Sequence, residues 1–157
     1  MSLGLFIAIS GAALAAVLAG IGSAYGVRIA GQAAAGVCSE NPDLFGKLLV
    51  IQALPGTQGI YGFLTAIIVL LKLGMIGGTP VDVSLEKGLE LFACCMPIAI
   101  GGLFSAIYQG KTAVAAIHMT AKQPEASARG ITMTALVETY AILALLASIL
   151  MVFGVQL

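Results

Sequence analysis

The chain has 157 residues, of which 60% are hydrophobic and 9% charged, and its seven Lys/Arg balance seven Asp/Glu. So few charges cannot cover a water-soluble domain of this size, since such domains are about one quarter charged, and no basic face for nucleic acid can be assembled from them. Disorder is excluded by the hydrophobicity, which leaves an integral membrane protein.

A spanning helix needs about 20 mostly apolar residues. In chain order, Leu3–Val27 carries no charge before Arg28, Leu48–Leu71 none before Lys72, and Leu91–Gly110 none before Lys111. Gly130–Leu157 carries one, Glu138. These runs lack the polar/apolar alternation of barrel strands. The expected fold is therefore an all-α membrane protein with four transmembrane helices. The first run has no basic segment ahead of it and continues past the length of a signal peptide's apolar region, so it reads as a retained span.

Pro-containing segments at Cys38–Pro42, Gly77–Val83 and Lys122–Glu125 separate the spans. Asp82, Glu86, Lys87 and Glu90 read as a solvated helix entry, with Ser84 as its cap. The expected organisation is a first hairpin over 1–76, a middle loop over 77–83 and a second hairpin over 84–157, with both chain ends on one side. Arg28, Lys47, Lys111, Lys122 and Arg129 lie toward the first and third loops, against Lys72 and Lys87 toward the middle one. That bias places loops 39–47 and 122–129 in the cytoplasm and both termini on the opposite side.

The two hairpins are tandem copies. Shifting the chain by 82 residues aligns 20–75 with 102–157 without gaps, and 12 of the 56 columns are identical, among them Ser23/Ser105, Pro42/Pro124 and Thr57/Thr139. Both copies run in the same in–out order, which makes this a parallel repeat. One difference stands out: Leu54-Pro55-Gly56-Thr57 aligns with Leu136-Val137-Glu138-Thr139, so only the second hairpin has an intramembrane carboxylate.

Glu138 lies 14 residues past Pro124, or about 20 Å along a helix. An acidic group at that depth costs at least ~2.5 kcal/mol and marks a functional site; the plainer alternative is a protonated Glu that ties helices together. Gln58 and Gln109 reach the same depth from spans two and three. Leu54, Thr57, Gln58 and Tyr61 share one helix face by their i, i+3, i+4, i+7 spacing. Each Gln alone is explained equally well by helix–helix hydrogen bonding. If spans two to four pack together, a carboxylate, two amide oxygens and a hydroxyl converge, a set suited to a hard monovalent cation such as Na⁺.

Pro55-Gly56 either frees a backbone carbonyl for that site or kinks the helix for packing. Spans one and three are rich in Gly, Ala and Ser, including the pair Gly22–Gly26. Small residues let backbones approach closely, so these two spans are expected to form an inner layer, with spans two and four outside and carrying the site. Cys38, Cys94 and Cys95 form no CxxC and read as apolar fillers, while His118 has no neighbouring ligand type. There is no phosphate-loop motif.

LPGTQGIYGF (Leu54–Phe63), FSAIYQGK (Phe104–Lys111) and LVETYAIL (Leu136–Leu143) resemble the membrane-rotor proteolipid of V-type ATPases, most nearly the K subunit of bacterial sodium-translocating enzymes. The resemblance covers the chain end to end. It implies a ring of identical four-helix subunits in the cell membrane, turning against a stator subunit that carries an Arg, with central-stalk subunits at the cytoplasmic loops. Such a subunit is not catalytic alone and serves a complex that hydrolyses or makes ATP. Glu138 would be the ion-binding carboxylate, with side-chain oxygens from Gln58, Gln109 and Thr57 and the backbone carbonyl of Leu54. Tyr61 would hydrogen-bond the carboxylate and close the site. The implied cargo is Na⁺, with H⁺ possible at the same Glu. The competing readings are a proton-coupled rotor subunit of the same family, a small secondary transporter with one membrane Glu, and a packing proteolipid without ion-dependent chemistry.

Overall fold

The computed structural model describes residues 2–157. Helix α1 spans Leu3–Glu40, α2 Phe45–Ala53, α3 Thr57–Lys72, α4 Leu85–Lys122 and α5 Ser127–Gly154, with short 3₁₀ turns at Pro42–Leu44, Leu54–Gly56 and Pro124–Ala126. α2 and α3 are one transmembrane segment broken by the second of these turns. Four segments are long and apolar enough to cross a membrane: Leu3–Glu40, Pro42–Lys72, Leu85–Lys122 and Pro124–Gly154. At about 1.5 Å per residue the two 38-residue helices α1 and α4 reach ~57 Å, well beyond the ~30 Å hydrocarbon core. Their charged ends therefore emerge into headgroups and water.

The helix boundaries repeat with the same 82-residue offset as the sequence. Ser2 and Ser84 open α1 and α4, each accepting the backbone N–H three residues on at 3.3 Å. This is the side-chain capping that satisfies an orphan donor. Asn41 and Gln123 close those helices with nearly the same backbone angles, φ −138° and ψ 85° or 86°. Pro42 and Pro124 then start the 3₁₀ turns, where the missing N–H is no loss. The match fails at one place: residues 54–56 form a 3₁₀ turn, whereas 136–138 continue α5.

α3 stops at Lys72, ahead of the loop expected over 77–83. Gly74 takes φ +68°, and the N–H groups of Gly74 and Met75 return to the carbonyls of Leu71 and Leu70, each at 3.0 Å. This is a glycine-dependent helix stop. Both chain ends lie at the side of this middle connection: Ser2 donates its hydroxyl to the Val83 carbonyl at 3.0 Å, and Val155 packs into one cluster with Leu5 and Val83. At the other end Lys47 Nζ donates to the Pro124 carbonyl at 3.2 Å, joining the first and third loops.

α1 and α4 pack along a seam of small residues. A Cβ added at Gly22 or Gly26 would lie 2.5 Å from the carbonyl oxygen of Leu103 or Ala106, and one at Gly110 would collide with the Gly26 backbone. α3 approaches α1 at Gly62, where a Cβ would meet the Ala15 carbonyl. Two apolar clusters fill the interior. One, toward the chain ends, includes Ala8, Val69, Leu91, Ile98 and Val152; the other, toward the first and third loops, includes Ala30, Leu48, Ile51 and Ile117. Between them on their respective helices lie Ser23, Gln58, Ser105, Gln109 and Thr134, all buried. A polar layer is thus sealed above and below by hydrocarbon.

Candidate functional site

The polar layer is assembled from three segments. α3 supplies Thr57, Gln58 and Tyr61, α4 supplies Ser105 and Gln109, and α5 supplies Thr134 and Glu138. Thr57, Gln58, Tyr61, Gln109 and Glu138, the side chains expected at one depth, lie together in this cluster. Tyr61 donates its hydroxyl to Glu138 Oε1 at 2.5 Å. Gln109 Nε2 donates to Glu138 Oε2 at 3.4 Å and to the Thr134 carbonyl at 3.1 Å. Gln58 Nε2 donates to Gln109 Oε1 at 2.5 Å. Gln58 and Gln109 are fully buried, whereas Glu138 and Tyr61 are half-buried at the edge of the bundle.

The Pro55 break explains the other half of the site. Proline cannot donate a backbone hydrogen bond, and the chain tightens into a 3₁₀ turn in which the Thr57 N–H bonds the Leu54 carbonyl. Thr57 Oγ1 bonds the same carbonyl at 3.1 Å and Gln58 Oε1 at 3.3 Å. Three oxygens, from a carbonyl, a hydroxyl and an amide, are thereby gathered on one turn. Ser23 on α1 braces the break by accepting the Gly59 N–H at 2.8 Å. Pro97 does not break α4; the N–H that follows it, on Ile98, is held by Ser148 Oγ at 3.1 Å.

Sequence reasoning counted Ser105 only as a small packing residue. In the structure its hydroxyl donates to the Val137 carbonyl at 3.1 Å and accepts from Gln58 Nε2 at 3.3 Å. Ser105 precedes Gln109 by four residues, which puts both on one helix face, but that spacing alone does not tell a packing serine from a donor. Among the described residues no buried side-chain N or O lacks a partner, and no group of three His, Cys, Asp or Glu could hold a metal ion. His118 is exposed, and Cys94 and Cys95 are buried free thiols.

The outward face is apolar. On α5, Leu136, Tyr140, Leu143 and Leu150 are 62%, 71%, 62% and 70% exposed. Glu138 therefore sits between a hydrogen-bonded interior and an exposed apolar surface.

A duplicated helical hairpin with one mid-span carboxylate defines a class of membrane proteolipid, and the chain belongs to the ATP synthase C-subunit family, whose model matches it twice, over residues 10–69 and 92–151. The two matches are themselves offset by 82 residues. The chain is 45% identical over 151 residues to the V-type sodium ATPase K subunit of Enterococcus hirae, covering 96% of this chain and 93% of that protein. It is 39% identical over 145 residues to the A-type ATP synthase K subunit of Methanocaldococcus jannaschii, covering 92% of this chain and 61% of that protein. The V-type proton ATPase subunit c' of Neurospora crassa is 32% identical over 98 residues, 62% of this chain and 58% of that one. Together with its four spans, family membership makes this a multi-pass membrane protein.

Proposed function

We propose that this chain is the sodium-carrying rotor subunit of a V-type ATPase. The observation that carries the reading is the hydrogen-bonded chain from half-buried Glu138 through buried Gln109 to buried Gln58, beside the oxygens of Leu54 and Thr57. A carboxylate supplies the charge balance for a monovalent ion, and the remaining oxygens replace its water shell. A proton needs only the carboxyl. The name of the Enterococcus hirae relative supports Na⁺, and that of the Neurospora crassa relative keeps H⁺ as the alternative cargo.

In this reading identical copies form a ring that turns as ions load and leave. The bound ion neutralises Glu138, so a loaded subunit passes along the lipid-facing side. An emptied carboxylate costs at least ~2.5 kcal/mol in hydrocarbon, so it stays beside a cation of the stator, the Arg that the family resemblance implies. Loops 39–47 and 122–129 face the cytoplasm and meet the central stalk; the chain ends lie on the opposite side. The subunit moves ions, and the ATP chemistry belongs to other subunits of the complex.

Carbodiimide labelling tests this. The reagent modifies a protonated carboxyl, so Glu138 is expected to label, with Na⁺ protecting it in a saturable way. Labelling that ignores Na⁺ across the pH range would assign the site to protons. Absence of any labelling at Glu138 in the assembled complex would remove the carboxylate from the mechanism.

A further inference from the structure

We infer that Ser105 is a positioning residue for the ion site: its hydroxyl sets the orientation of the Gln58 amide, so that the amide oxygen and not its NH₂ faces the Leu54 and Thr57 oxygens. This rests on the reading of those oxygens as cation ligands.

The direction of the hydrogen bonds decides the matter. An amide can present either end to a neighbour, so a Gln works as a cation ligand only if something selects its oxygen. Two backbone carbonyls of α5 make that selection, because a carbonyl can only accept. The Val137 carbonyl takes the single hydroxyl hydrogen of Ser105. The Ser105 oxygen then has only lone pairs to offer Gln58, and Gln58 must answer with Nε2. The Thr134 carbonyl takes a hydrogen of Gln109 Nε2. This turns Gln109 Oε1 toward Gln58, which again demands Nε2. Both constraints leave Gln58 Oε1 pointing at Thr57 Oγ1, 3.3 Å away. Gln109 is bonded to Glu138 itself, so a change at Gln109 acts on the carboxylate as well as on Gln58. Ser105 makes its side-chain hydrogen bonds to Gln58 and the Val137 carbonyl and none to Glu138 or Thr57, so its constraint on the amide does not run through the carboxylate.

The duplication sharpens the contrast. Ser23, the copy of Ser105 in the first hairpin, faces a backbone N–H and accepts from Gly59. The same residue type at the same place on an inner helix braces a broken turn in one half and orients an amide in the other.

The test uses the assembled complex and reads Glu138 labelling by carbodiimide in two ways: the Na⁺ concentration for half-protection, and the pH midpoint of labelling without Na⁺. In Ser105→Ala the half-protecting Na⁺ concentration is expected to rise about tenfold, as the buried Gln58 NH₂ loses one of its two acceptors and the amide is held through Gln109 alone. The pH midpoint should stay where it is, since Tyr61 and Gln109 still hold the carboxylate. Ser105→Thr keeps the hydroxyl and should restore protection to within about twofold. If Ser105→Ala fails to assemble, Ser105→Cys gives the same reading, because a thiol fills the space but bonds weakly. Unchanged half-protection in these variants, with the parent still protected by Na⁺, overturns the role of Ser105 alone. An equal shift of both readouts also overturns it, by showing general loosening. A parent that Na⁺ does not protect overturns this inference together with the sodium reading.

Discussion

Tyr61 and Glu138 lie 77 residues apart in the chain, and the Tyr61 hydroxyl donates to Glu138 Oε1 at 2.5 Å, linking the hairpin that lacks a carboxylate to the hairpin that carries it. The first hairpin has Gly56 at the position of Glu138, yet it supplies Tyr61, one of the two side chains bonded to that residue; Gln109 of the second hairpin is the other. The carboxylate comes from one copy, and the polar groups of the layer come from both: Thr57, Gln58 and Tyr61 from the first, Ser105 and Gln109 from the second.

Tyr61→Phe removes a hydroxyl that bonds the carboxylate. A hydrogen bond to a charged group contributes about 1.5–3 kcal/mol, so Na⁺ affinity of the isolated ring should fall by roughly ten- to hundredfold. The ring itself should survive, since the aromatic body is kept. Equilibrium binding of radioactive sodium to purified rings reads this directly; unchanged affinity would show that Tyr61 does not hold the loaded carboxylate.

Glu138→Gln replaces the charge with a group of nearly the same size and leaves Gln109 a partner. Sodium transport by the reconstituted complex should disappear, while the ring keeps its mobility on a detergent gel. Retained ATP-driven sodium uptake would end the assignment of the carboxylate.

Pro55→Ala returns an N–H to the broken turn. The chain from Phe45 to Lys72 should then relax toward continuous α-helix, as α5 does over Leu136–Glu138. The Leu54 carbonyl would be drawn into ordinary i→i+4 pairing, and Na⁺ should protect Glu138 less well, with half-protection shifted upward several-fold. Labelling of Glu138 without Na⁺ should continue.

Gly110→Ala places a methyl group against the backbone of Gly26. Overpacking of this kind costs about 1–3 kcal/mol, so thermal melting of the protein in detergent should move to lower temperature. Gly20, with nothing within 4 Å of its added Cβ in the chain, is the control. Gly20→Ala should leave the melting point unchanged or raise it slightly, because Ala is the better helix former.

Much of this molecule was legible from residue types. Four spans, two hairpins and a lone deep carboxylate follow from where charges are absent, because hydrocarbon tolerates neither bare backbone nor free charge. The 82-residue repeat was visible too, and it anticipates helix ends that recur at the same offset. Small residues on spans one and three foretold the α1–α4 seam, since only Gly and Ala permit that approach. Two features were not readable. The helix stop at Lys72 depends on Gly74 adopting positive φ rather than Gly77–Gly78 ending the span. The role of Ser105 was hidden among other small residues, because a serine in a membrane helix has the same composition signal whether it packs or donates.

The sequence by itself determined which groups lie at mid-membrane depth, because depth along a helix is counted in residues and the spans admit one register. It could not determine which way those groups face. That was decided by packing: the α1–α4 seam brings α3 and α5 together around α4, and the carbonyls of Thr134 and Val137 then fix how each amide points. Hydrogen-bond direction is a property of atoms on different helices, and it exists only once those helices have met.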